Sequence, residues 1–160
     1  MPSPIRPTDD AAREMARKLL TRSRSAVLAV NDDGWPTVSR VAFGLDDDGV
    51  PVSLVSELSG HTTVLRSCPE CSLLIGEPGP KGDPLTHPRL ALKVRATLID
   101  HDASGYDKLA AHYLRDHPKA KLYIGFADFH FVRFNPLSAF LNGGFGKAFR
   151  LSPEDLHFPD

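Results

Sequence analysis

The 160 residues include only two cysteines, one tryptophan and no excess of either charge: 19 Lys and Arg stand against 20 Asp and Glu, a formal net charge of -1. Two thiols are too few for a disulfide framework and fit a reducing compartment. Balanced charge gives no whole-molecule field to attract nucleic acid or an anionic membrane, so any anion binding must be local. No run approaches the roughly 18 apolar residues of a membrane span. The proline-bearing N-terminus, MPSPIRP, lacks the apolar core of a signal peptide. These absences predict a cytoplasmic protein with neither a nucleic-acid nor a membrane partner, and the length predicts one domain with its own core.

Most of the pattern that is present belongs to strands. Residues 1–7 are expected to be a disordered N-terminus, 8–150 the domain and 151–160 a C-terminal tail. Thr8, Asp9 and Asp10 cap a first helix whose stripe is Met15, Leu19 and Leu20. SAVLAV, PTVSRVAFGL and VPVSLVS are separated by NDDG and DDDG, hairpin signals that predict a three-stranded meander. A helical turn over 60–66, a strand in CSLLIGE and the breaker-dense EPGPKGDPLTHP follow. In PRLALKVRATLID, Leu90, Leu92, Val94, Ala96 and Leu98 face one way, and Arg89, Lys93, Arg95 and Thr97 the other. A second helix spans 103–117 before Pro118, and ADFHFVRFN and PLSAFLN supply two last strands. About seven strands with two principal helices give a mainly β, α+β class: an antiparallel split β-barrel with flanking helices.

The chemistry concentrates in SLVSELSGHTTVLRSCPECSLLIGEP. Cys68 and Cys71 end a helical turn and precede a strand, the reverse of a thioredoxin-type pair. Zinc would need about four ligands, so the thiols read as structural and no metal site is expected. His61 sits between the hydroxyls of Ser59 and Thr62 at the start of a helical turn, where free N–H groups favour anions. Two readings stand there, a phosphate cradle and a plain cap by Ser59. Arg89, Lys93 and Arg95 repel one another unless water or an acidic ligand screens them, and Arg40 interrupts an apolar strand in the same way. Asn142-Gly-Gly-Phe-Gly-Lys147 fails both the dinucleotide fingerprint and the P-loop, which needs glycine at Leu141. No catalytic residue can be assigned, because neither a Ser-His-Asp set nor a carboxylate pair can be assembled.

Taken together, TVSRVAF, S-x-L-x-x-H-T (Ser56 to Thr62), G-D-P-L-x-x-x-R-L (Gly82 to Leu90) and the late G-G-F-G give the chain a family likeness over residues 10–150. It resembles the pyridoxamine 5'-phosphate oxidase-like FMN-binding split barrels, and within them the haem-utilisation-type branch. The resemblance implies a homodimer with FMN at the subunit interface, acting as an oxidoreductase on a small-molecule substrate or electron acceptor, with haem binding or degradation as the alternative. It implies that Ser56, Ser59, His61 and Thr62 hold the ribityl phosphate, that Ser39, Arg40 and Val55 contact the flavin, and that Arg89 adds a polar side chain from the partner subunit. The chain departs from the oxidases in having Gly60-His61 where they carry Arg-Lys, so backbone N–H groups and hydroxyls must supply the phosphate contacts. A late histidine binds haem in the haem-degrading relatives, and His157 is the positional candidate.

Overall fold

The computed structural model describes residues 3–156, which leaves His157 outside the described residues. Helix α1 (Asp10–Arg22) begins where Asp9 accepts a hydrogen bond from the Ala12 amide at 2.8 Å. Its buried face is Ala12, Ala16 and Leu20, with Met15 and Leu19 packed at the margin. Small side chains let α1 lie closer to the sheet than the predicted Met-Leu stripe would.

Strands β2 (Ser25–Asp32) and β3 (Trp35–Ala42) form the first hairpin, joined by Asp33 and Gly34. Both have positive φ, 49° and 85°, which a type I′ turn requires. The expected meander stops there. The Phe43 amide donates to the Arg24 carbonyl at 2.9 Å, and the chain bends away. The Asp46–Gly49 turn therefore joins a short β4 (Gly44–Leu45) to β5 (Pro51–Ser56), and β5 takes its second partner from far along the sequence.

That partner is β8 (Phe129–Asn142), a single strand of 14 residues where two were expected. Pro136 does not break it, because Leu137 bulges out between the Lys93–Ser138 and Val94–Pro136 pairs with β7 (Arg89–Ile99), where the ladder is already interrupted. Its first half pairs with β5 and its second half with β9 (Ala148–Leu151), while β7 runs alongside both. With β6 (Glu70–Ile75), the sheet runs β9-β8-β7-β6-β2-β3, and β3 packs beside β5 where the barrel closes. Ile5–Arg6 forms β1, parallel to β9, so these two residues lie in a strand rather than in a disordered N-terminus. Pro4 and Pro7 flank them and favour extended backbone that suits an edge.

Two cores result. Leu28, Leu73, Leu92, Phe134 and Leu141 fill the barrel under α1. Val52, Leu54 and Phe131, on the other face of β5 and β8, pack against Tyr106 and Tyr113 of helix α3 (Tyr106–Asp116). Helix α2 (Gly60–Ser67) links β5 to β6, and α4 (Pro153–Leu156) follows β9.

Cys71 belongs to the barrel core, and burial pushes its thiol pKa up to about 12, with the nearby Cys68 and Glu70 adding to the rise. A thiol-disulfide reagent at pH 8 should therefore titrate one thiol, Cys68, in the native protein and two after denaturation; two fast thiols in the native protein would contradict this packing. The raised pKa also fixes a pH dependence. The contribution is fully present below the unfolded thiol value of about 8.5 and is lost as pH rises towards the folded value, because only the unfolded chain ionises in that window.

Candidate functional site

The turn from β5 into α2 is built around its own backbone. The Ser56 carbonyl accepts from the Ser59 amide at 3.0 Å and from the Thr62 hydroxyl at 2.7 Å. The Ser56 hydroxyl donates to Asp128 at 3.0 Å and accepts from the Leu58 amide at 3.1 Å. Ser56, Ser59 and Thr62 are thus drawn into one loop, with Thr62 fully buried beneath it. Their hydroxyls divide the work: those of Ser56 and Thr62 hold the loop in shape, while Ser59 occupies the N-cap position without making a capping bond.

Of the two readings of the turn, the plain cap is not formed. A plain cap requires the Ser59 hydroxyl to accept from a first-turn amide, and it does not. Gly60 is exposed, with open space where a Cβ would stand, so the positive end of α2 faces solvent through an unobstructed opening. His61 is half-buried, and desolvation lowers its pKa, which keeps the imidazole neutral at pH 7. It can offer a ring N–H to an anion but not a formal charge. A free hydroxyl and a helix N-terminus suit the three oxygens of a phosphate ester, so the residues present fit such a group.

A second layer, unread in the sequence, holds the turn from behind. The Glu57 amide donates to the Asp128 carbonyl at 2.7 Å, and its carboxylate bonds the Arg66 guanidinium and lies 3.3 Å from His130 Nε2. The bond from Arg66 holds the Glu57 pKa below the usual carboxylate range. Asp128 and His130 stand in a segment whose strand character was legible. Their role depends on the pairing of Val55 with His130 and Ser56 with Phe129, which periodicity does not reveal.

The other candidates divide. Val55 is buried in β5, next to the turn. Ser39 and Arg40 point to opposite faces of β3: Ser39 lies opposite the buried Leu28, and Arg40 opposite the part-exposed Val27. Arg40 lines a recess of about 420 Å³ on the outer face with Val27, Leu74 and Glu77. Arg89 donates to the carbonyls of Leu85 and His87, at 3.0 and 3.4 Å, and is held by its own loop.

A larger recess, about 810 Å³, lies elsewhere, between α1, the Asp46–Gly49 turn and α3. Its charges neutralise one another: Arg133 meets Asp46 at 2.6 Å, Arg24 meets Asp116 at 3.2 Å, and Lys108 meets Asp47 at 2.7 Å. Size alone gives it no claim on an anion.

The family model described as "CREG, beta-barrel" matches residues 7–157. The chain belongs to that family. Among relatives of this CREG-type barrel, the chloroplastic heme oxygenase HOZ of Arabidopsis thaliana is 34% identical over 122 residues, which are 76% of this chain and 36% of HOZ. The chain thus spans about a third of that curated relative. A heme-binding protein from Mycobacterium smegmatis superposes with a TM-score of 0.82 at 27% identity, covering 93% of this chain and 61% of that one. An FAD-binding protein from Mesorhizobium loti superposes with a TM-score of 0.64 at 17% identity over 82% of this chain and 92% of that one, a likeness of fold alone. The split-barrel fold expected from the sequence is therefore shared by haem-binding and flavin-binding proteins. Among the described residues, no helix is long and apolar enough to cross a membrane.

Proposed function

We propose that this CREG-type barrel binds FMN, with the ribityl phosphate at the N-terminus of α2 and the flavin over the seam between β3 and β5, as a flavin-dependent oxidoreductase. The observation that carries this reading is the uncapped helix start, where Ser59 keeps its hydroxyl free beside the open Gly60. Ser59, His61 and the first amides of α2 would hold the phosphate, and Ser56 and Thr62 would keep the loop in shape. Ser39 and the backbone of Val55 would contact the flavin along that seam. The flavin supplies the electron chemistry when bound, and the protein supplies orientation and a fixed electrostatic setting. Titration with FMN and with riboflavin tests the phosphate dependence: FMN should bind and riboflavin should bind far more weakly. Equal affinities would remove the assignment.

Haem handling is the second reading, favoured by the names of the relatives at 34% and 27% identity. Adding haemin to the same preparation separates the two. A saturable Soret band without FMN binding would support the haem reading over the flavin one.

The dimer implied by the resemblance has a face to use. Val38, Val27 and Leu74 form an exposed apolar stripe on the outer face of β3, β2 and β6, with Val27 in register with Leu74. A monomer seldom leaves so contiguous an apolar stripe exposed. We propose that a second copy covers this half of the sheet. Leu74→Asp should convert a dimer to a monomer in sedimentation velocity; a wild-type monomer, or an unchanged variant dimer, would place the interface elsewhere or nowhere.

A further inference from the structure

The other half of the outer face, across β6 to β9, poses a separate question. Of the three cations aligned on β7, Arg95 is paired with Glu70 at 3.3 Å, and Arg89 is turned onto its loop carbonyls. Lys93 has no ion pair or hydrogen bond among the described residues. It is joined by Arg150 of β9, whose guanidinium stands 6.0 Å from the centre of the Phe140 ring with no carboxylate partner among the described residues. A chain of net charge -1 therefore leaves two neighbouring cations without counter-charge on one sheet face.

Strand register builds their surroundings. Lys93 lies between Ser72 of β6 and Ser138 of β8, and Phe140 lies between Ala91 of β7 and Arg150. These six side chains line a recess of about 210 Å³. Its floor is apolar at Ala91 and Phe140, its sides carry two hydroxyls, and its two cations are free to converge on one anionic head. An arginine fork and a lysine ammonium over an apolar floor match a carboxylate carried on a flat apolar body better than a bare inorganic ion, which would leave the floor uncovered.

We propose that this recess is a binding site for a small amphipathic carboxylate. It goes beyond the flavin reading and uses none of its residues, since the phosphate turn is made by β5 and α2.

Naphthalene-2-carboxylate and the neutral naphthalene-2-carboxamide are suitable probes, followed by backbone amide shifts in ¹⁵N-labelled full-length protein. The carboxylate should bind at least about tenfold more tightly than the amide, the size of one charge-assisted hydrogen bond. Shifts should centre on Ser72, Lys93 and Ser138. Lys93→Gln and Arg150→Gln should each erase the preference, and an unchanged melting temperature would confirm that both exposed substitutions leave the fold intact. Equal binding of acid and amide, or variants that keep the preference, would overturn the proposal. So would variants that alter sedimentation while probe affinity stays the same, because the counter-charge would then come from a second copy of the chain.

Discussion

Replacing Gly60 by Asp should weaken FMN binding by roughly ten- to a hundredfold while making the folded protein more stable. The two effects have opposite signs for one reason. A carboxylate in the first turn of α2 sits at the positive end of the helix dipole and replaces a poor helix former. The dipole contributes about 0.3–1 kcal/mol and the change of propensity a few tenths more. The space it occupies is open, so no clash offsets the gain. A phosphate at the same helix end would meet that carboxylate at close range. Like charges near a protein surface repel by roughly 1–3 kcal/mol at such separations, and each 1.4 kcal/mol is about tenfold in affinity. Calorimetric titration with FMN and a urea unfolding curve measure both quantities on one sample. A variant that is more stable and still binds FMN like wild type would move the phosphate away from α2. A variant that loses both properties would mean that Gly60 has a structural task not visible in its surroundings.

Gly76→Ala is expected to be among the most damaging single substitutions, with a loss of roughly 3–5 kcal/mol. Gly76 follows β6 with φ of +98°, and a Cβ there would stand 2.5 Å from the Pro88 carbonyl oxygen, 2.9 Å from Arg89 Cα and 3.1 Å from Leu19. The first two neighbours are backbone and cannot swing aside. Forcing an L-residue into such a conformation costs about 1–3 kcal/mol, and overpacking adds about as much again. Gly82→Ala is the control, since Gly82 also has positive φ, +80°, but meets nothing within 4 Å. It should lose only about 1 kcal/mol. Urea midpoints at constant slope report the difference, and equal losses at the two sites would mean that the loop relaxes around Gly76.

The fold was legible where local chemistry settles the structure. Asp33-Gly34 selects its hairpin through two positive φ values, and the alternation of residues 89–98 sorts cations from core without outside help. Misreadings came where distant partners override local signals. Pro136 reads as a strand end by itself and is tolerated because the ladder to β7 is already interrupted by the bulge at the adjacent Leu137. VPVSLVS reads as the third strand of a meander, yet it pairs with β8, some eighty residues away. The site divided in the same way. Ser56, Ser59, His61 and Thr62 lie within seven residues, so their convergence is a local matter. Asp128 and His130 reach the turn only through the β5–β8 register, and the opposite orientation of Ser39 and Arg40 follows from which face of β3 is inside.

The dependence of the turn on Asp128 also has a consequence for biogenesis. A ribosome delivers β5 and α2 long before it delivers β8, and the nascent segment then lacks both the acceptor for the Ser56 hydroxyl and the strand that completes its ladder. Pairings between ends so far apart in the chain form slowly. A ligand held at this turn, as proposed above, would therefore be captured only after synthesis of the domain is nearly complete, and a translation product halted before residue 128 should emerge without it.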